Sequence, residues 1–321
     1  MEYIILTITL FIIINIYFKL ADSYNIIDKP NERSSHTTIT IRGGGIIFLM
    51  GILSYFFVSG FKFPLFFIGL FLIALISFLD DIITLSNKLR LLFHFSAIFL
   101  LLFELGIYQQ NFFLIIPLLI ISVGIINVYN FMDGINGITG LYSLSVLTGL
   151  YFINNFSVEF IDNELFYFLG LAILVFNFYN FRRKAICFAG DIGSISLAFI
   201  LLFLIFKLSL IKFNISIILL LGVYGIDSIL TIIHRIYLKE NIFKAHRKHC
   251  YQILANEAKV PHLVVSTIYF ILQLILSSIV YYLYRNNTGL TTSLIITLSI
   301  LLFLSIVYII VKRKYFHLHN L

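Results

Sequence analysis

The chain has 321 residues, 60% of them hydrophobic and 12% charged, with a mean hydropathy of +1.03. No water-soluble fold can hide that much apolar side chain, which excludes soluble enzymes and nucleic-acid-binding modules. The net charge of +7 is then first of all a signal of membrane orientation.

Runs of roughly 18 or more apolar residues can cross a ~30 Å hydrocarbon layer as helices. In chain order they cover residues 2–20, 43–60, 64–79, 91–108, 111–128, 135–153, 164–181, 192–210, 214–234, 262–284 and 290–311. The runs lack the two-residue alternation of a membrane β-barrel, and a helix satisfies its own backbone hydrogen bonds in lipid. The prediction is an all-α polytopic transmembrane bundle of about ten or eleven helices, a single integral membrane domain over residues 1–321. Glu2 rather than a basic stretch precedes the first run, and no small-residue cleavage site follows it, so it reads as a retained membrane helix.

Alternate loops differ sharply in charge. Eighteen of the 22 Lys and Arg fall on one side, whereas Lys62, Lys207, Lys212 and Arg285 share the other with the acidic Glu159, Asp162 and Glu164. By the positive-inside rule the basic side is cytoplasmic and the N-terminus lies outside. The basic side also attracts anionic lipid or phosphate substrates. Cys187 and Cys250 form no disulfide framework.

The polar segments on the basic side carry the candidate chemistry. The first loop holds Arg33, His36 and Arg42 ahead of three glycines, which suits a mobile anion-gripping loop, with a merely topogenic loop as the plain alternative. Asp80 and Asp81 close the third run, and Lys88 follows. Adjacent carboxylates repel, and they persist best beside a divalent cation or basic groups. A lone pair of this kind reads equally well as a solvated helix end; four polar clusters on one face shift the balance.

Next comes NVYNFMDGINGITG, with Asn127, Asn130, Asp133 and Asn136, then FAGDIGS, with Phe188 and Asp191. Glycine lets backbone N–H groups approach a phosphate, especially at a helix N-terminus. Gly190 and Gly193 bracket Asp191 and look site-related, whereas Gly140 reads as helix packing. Phe188 either packs or stacks on a base. The loop AHRKHCYQ offers His246, Arg247 and His249 to a diphosphate. Zinc is the weaker reading there, since no further Cys or His stands nearby. Oxygen-only ligands with retained waters suit Mg²⁺, or Mn²⁺.

In this order, DKPNERSSH with GGG, the Asp-Asp pair followed by Lys88, NVYNFMDGINGITG, FAGDIGS and HRKHCYQ resemble the polyprenyl-phosphate N-acetylhexosamine-1-phosphate transferases over residues 28–252. The resemblance implies a Mg²⁺-dependent phosphoglycosyl transferase of the bacterial cell inner membrane. It would move a sugar 1-phosphate from a UDP-amino sugar to undecaprenyl phosphate and release UMP. It also implies that Asp191 is the metal ligand and that Asp80 and Asp81 handle the acceptor phosphate or metal. Asn130 and Asp133 take nucleotide-site and catalytic-pocket positions, Phe188 stacks on uracil, and His246 and His249 sit in the histidine-rich loop.

Asn136 stands where the family often has Asp, and His94 where it often has Gln. HRKHCYQ departs from the triple histidine of the peptidoglycan-precursor enzyme, which favours an initiator of O-antigen, capsule or a related polysaccharide. No nucleic-acid partner is expected, and the oligomeric state, a homodimer included, stays open. The competing class is a transporter of an anionic or lipid-linked substrate, for which only Glu104 and Asp227 lie deep enough.

Overall fold

The computed structural model describes residues 1–30, 39–241 and 246–315. Arg33 and His36, two of the expected anion-binding residues, lie outside the described residues. In chain order come α1 (Glu2–Ser23), the strands β1 (Ile27–Asp28) and β2 (Thr40–Ile41), α2 (Ile46–Val58), α3 (Pro64–Ile82) and α4 (Asn87–Glu104). They are followed by α5 (Ile107–Gln110), α6 (Ile115–Met132), α7 (Ile138–Phe156), α8 (Asn163–Asn180), α9 (Gly190–Ile211) and α10 (Gly222–Tyr237). The one-turn α11 (Cys250–Gln252), α12 (His262–Arg285) and α13 (Leu290–Tyr315) complete the described chain.

Seven helices among the described residues are long and apolar enough to cross a membrane: α1, α3, α6, α9, α10, α12 and α13, with α6 and α10 extended at their starts by 3₁₀ turns. This multi-pass helical architecture matches the expected all-α class, and α2, α4, α7 and α8 fall short of that length or hydropathy for local reasons. At 13 residues α2 is about 20 Å long, short of the hydrocarbon thickness. The fourth helix carries Lys88, Arg90 and Glu104, Ser, Thr and Asn are spread along α7, and α8 carries Glu164 and three Asn toward its ends.

The organising element is α9. Every residue from Gly190 to Ile205 is buried, so it has no lipid-facing stripe and runs through the middle of the bundle. Helices α2, α3, α6 and α7 pack around it, and α12 lies along α7. Lipid tails are as apolar as Leu, so such contacts depend on close van der Waals fit through small residues. Gly149 of α7 meets Ser277 of α12 in this way, with no room for a Cβ.

Chain direction then fixes the site. The C-terminal ends of α3 and α6 and the N-terminal end of α9 fall at one end of the bundle. β2 joins that end through an isolated bridge between Ile41 and Cys187, and the three glycines follow it. Gly44 N–H donates to the Phe188 carbonyl at 2.8 Å and Gly45 N–H to the Ala189 carbonyl at 3.0 Å. A Cβ on Gly45 would collide with the Gly193 backbone. These glycines, and Gly193 with them, therefore serve backbone packing; the segment from Gly43 to Gly45 is clamped onto the start of α9 rather than standing free as a gripping loop. Gly140, as expected, makes room for the Asn177 side chain of α8.

Candidate active site

Asp80 and Asp81 end α3, where their charge opposes the helix dipole, so other groups must hold them. Asp81 is held completely. Its two oxygens accept from the backbone N–H groups of Asp191 (2.9 Å) and Ile192 (3.1 Å), two of the amides left free in the first turn of α9. Arg42 Nε lies 2.7 Å from Asp81 Oδ1, and the Asp81 side chain is fully buried. One carboxylate thus caps a second helix and neutralises a guanidinium. Burial works against the Arg42 charge, but Asp81, Asp191 and Asp28 together hold its pKa above the ordinary guanidinium value.

Asp80 accepts from Leu85 N–H at 2.7 Å and pairs with Arg90 Nη1 at 2.6 Å. Asp191 is the loosely held member. Its partners are Arg42 Nη2 at 3.3 Å, Asn130 Nδ2 at 3.3 Å and Arg90 Nη1 at 3.7 Å. Asn130 is itself fixed by Ser194 Oγ, 2.9 Å from its carbonyl oxygen. Three carboxylates therefore meet two guanidiniums, and the one with only long contacts keeps unused lone pairs. Arg42 and Arg90 stand between the carboxylates. Accordingly, among the described residues, no group of three or more His, Cys, Asp or Glu is arranged to hold a metal by itself.

Gly190 makes this convergence possible. Its φ of +71° is a left-handed conformation, and a Cβ there would sit 2.5 Å from Asp81 Oδ2 and 2.8 Å from Gly43 N. Gly190→Ala is expected to cost about 2 kcal/mol or more, from backbone strain and displacement of the Asp81 carboxylate. Thermal unfolding in detergent checks it.

Asp133 lies just past the end of α6, partly buried, and accepts from the Thr139 hydroxyl at 2.6 Å. Burial pushes its carboxyl up to about 6, against the Thr139 hydrogen bond, with the Asp191 charge adding to the rise. A carboxyl with a raised native pKa stabilises the fold when protonated. That contribution is complete below the ordinary Asp value of 3.8 and disappears as pH rises through about 6. The melting temperature is expected to fall across this window, and Asp133→Asn should flatten that part of the curve; an unchanged curve would count against the assignment.

The remaining expected residues separate. The Asn136 amide donates to the carbonyls of Arg182 (2.8 Å) and Arg183 (3.3 Å), tying down the loop before α9. A carboxylate could not donate those bonds, which accounts physically for Asn at this position. The Asn127 amide turns back to the Val123 carbonyl at 2.7 Å. Lys88 is exposed on the first turn of α4, and Phe188 is half-buried with both its backbone N–H and carbonyl bonded to the segment from Ile41 to Gly44.

The histidine loop reaches the same end of the bundle. Tyr251 donates its hydroxyl to the Phe131 carbonyl at 2.9 Å, two residues before Asp133. The His246 and His249 rings lie 5.0 Å apart. Burial, followed by the nearby His249, Arg235 and Lys312, drives the His246 pKa down to about 3, so this imidazole is neutral at physiological pH. Arg247 Nη2 lies 3.7 Å from Glu257 Oε1.

Arg90 was counted in the sequence only as a topogenic charge. Ser86, which caps α4 by accepting from Leu89 N–H at 3.4 Å, was the available signal. A helix restarting so soon after α3 must double back, which puts its first-turn Arg beside Asp80. Asn180, which accepts from Gly137 N–H (2.7 Å) and donates to the Cys187 carbonyl (2.8 Å), left no such signal. The two deep acids that kept transport open both have structural partners. Glu104 accepts from the N–H groups of Leu65 (2.6 Å) and Phe66 (3.3 Å), and Asp227 accepts from Cys250 N–H at 2.8 Å.

Fold and site together define a multi-pass membrane protein whose acidic residues and guanidiniums converge where three helix ends meet. The model of glycosyl transferase family 4 matches residues 63–209, which include Asp80, Asp81, Asn130, Asp133 and Asp191. A protein of Bacillus subtilis called a probable undecaprenyl-phosphate N-acetylglucosaminyl 1-phosphate transferase is 29% identical over 278 residues, covering 78% of this chain and 76% of that protein. A Methanocaldococcus jannaschii protein named as a glycosyltransferase is 31% identical over 140 residues, covering 41% of this chain and 44% of that protein. Over these stretches the chain is similar to glycosyl transferase family 4 and to a relative named for undecaprenyl-phosphate sugar-1-phosphate transfer.

Proposed function

We propose that this protein transfers an N-acetylhexosamine 1-phosphate from a UDP-sugar to undecaprenyl phosphate, releasing UMP, as the initiating step of a cell-envelope polysaccharide. The observation that carries the reading is Asp191, loosely held at the N-terminus of α9 between two guanidiniums. Attack of one phosphate on another requires charge neutralisation and alignment. Arg42 and Arg90 provide both: their side chains are 35% and 23% exposed, so each can turn from its carboxylates to phosphate oxygens.

That turn would leave Asp191 free to bind a cation. Mg²⁺ fits the donor set, since it commonly takes one or two carboxylates, several waters and substrate phosphates rather than an all-protein cage. Asp191, with Asp80 beside it, would hold the ion, which supplies electrostatic stabilisation to the transferring phosphoryl group. Asp81, saturated by its three donors, orients Arg42 and α9. Asp80 is the better placed of the pair to meet the acceptor phosphate, and His246 and His249 face the donor. An apolar polyprenyl tail would stay in the bilayer while its phosphate reaches this end of the bundle, which we place at the cytoplasmic face of the inner membrane from the loop charges.

The test is purified protein with undecaprenyl phosphate, Mg²⁺ and a panel of UDP-sugars, scored for UMP. UMP release that EDTA stops and added Mg²⁺ restores is the expected result. Silence with every donor overturns the reading.

A further inference from the structure

Asp227 lies on α10, outside the acidic cluster, and is only 3% exposed. Burying a carboxylate is costly unless donors surround it, and here they come from three places. Cys250 N–H donates to Oδ1 at 2.8 Å and Tyr251 N–H to Oδ2 at 3.3 Å, both immediately after His249. The Tyr269 hydroxyl of α12 donates to Oδ2 at 2.6 Å. One turn along α10, the Thr231 hydroxyl lies 3.4 Å from Oδ1 and 2.8 Å from the Tyr308 hydroxyl of α13. A single carboxylate therefore ties the histidine loop to α10, α12 and α13.

The same carboxylate faces a histidine ring. His249 Nδ1 lies 3.4 Å from Asp227 Oδ1, and His249 is 2% exposed. Both ring nitrogens are enclosed and neither makes a hydrogen bond among the described residues, so Asp227 approaches Nδ1 at ion-pair distance while it bonds the backbone immediately after the ring. A carboxylate that holds the two amides after His249 and stands beside Nδ1 sets where the backbone carries the ring and which nitrogen faces the charge. The His249 ring lies 5.8 Å from that of Tyr251, whose hydroxyl binds the end of α6 beside Asp133.

We infer that Asp227 is a positioning residue of the transfer reaction. It acts through His249, holding that ring and the loop around it against the Asp133 end of the site, on the donor side. The inference rests on the transferase reading above.

The experiment compares wild type with Asp227→Asn in detergent, measuring UMP release and the ¹⁵N resonances of the His249 ring in selectively labelled protein. Misplacement of a reacting group by about 1 Å costs on the order of 100-fold. The expected result is a roughly 10- to 100-fold loss in kcat/KM for the UDP-sugar, an unchanged KM for undecaprenyl phosphate and shifted His249 ring resonances. His249→Ala should lower wild-type activity but add little to Asp227→Asn, because both remove one function.

Unchanged ring resonances, or an equal rise in both KM values, would overturn the inference. If Asp227→Asn does not fold, Tyr269→Phe removes the 2.6 Å donor and keeps the carboxylate. It should then shift the same resonances by a smaller amount, and an unmoved spectrum would overturn the inference. If wild type releases no UMP, the transferase reading fails, while the ring resonances still report whether Asp227 sets the His249 ring.

Discussion

Asp191→Asn is expected to lower UMP release by about a thousandfold or more while leaving the protein folded. The two effects separate because of how the side chain is held. Its ion pairs, at 3.3 Å to Arg42 and 3.7 Å to Arg90, are long and add little stability, and Asn would keep an oxygen for the Asn130 amide at 3.3 Å. Removing one of three crowded carboxylates also relieves repulsion from Asp80 and Asp81. Activity has no such compensation. A neutral amide is a poor ligand for a hard cation, and loss of electrostatic stabilisation at a transferring phosphoryl group costs roughly two to three orders of magnitude for each well-placed group. UMP assays alongside thermal melts decide the matter. Activity near wild type would remove Asp191 from the cation site, and a collapsed melting temperature would make it a structural residue.

The second large effect is on stability. Arg42→Ala should destabilise the fold by about 1–3 kcal/mol, the usual result of leaving a buried charged acceptor short of a partner, reduced here because Arg42 itself is 35% exposed and partly screened by solvent. Asp81, with its side chain fully buried, would keep only the two α9 amides and lose its counter-charge at 2.7 Å. Arg42→Lys should recover only part of the loss, because one ammonium cannot reach both Asp81 and Asp191 as the guanidinium fork does. Since pairing with Arg42 favours the ionised carboxylate, the variant should also recover stability when Asp81 is converted to Asn. Chemical denaturation of the single and double variants measures this coupling. Additive losses would mean that Arg42 and Asp81 do not depend on each other.

The α-helical membrane class was legible from apolar runs alone, because a bilayer admits few solutions to the backbone hydrogen-bonding problem. Asp80, Asp81, Asp133 and Asp191 were legible as candidates as well, since carboxylates in so apolar a chain stand out and these four share the basic side. Individual roles were harder. Asp80 and Asp81 look alike in sequence, yet Asp81 is saturated by two amides and Arg42, whereas Asp80 is held by Arg90 and one turn amide. The three glycines looked like a mobile phosphate loop, and their packing against Ala189 and Gly193 becomes visible only once α9 is in place.

By itself, the sequence determined the membrane-spanning class and the set of polar groups available for chemistry, both of which follow from composition and local order. It could not determine which groups meet. Arg42 and Asp191 are separated by 149 residues and Asp81 and Asp191 by 110, and the meeting of such distant groups depends on how the helices pack. The tertiary structure decided that Arg90 belongs to the cluster, that Asn136 ties down a loop and that Asp227 bonds the backbone immediately after His249. Each of these outcomes depends on contact between elements remote in the chain, and contacts of that kind leave no periodic trace in a single sequence.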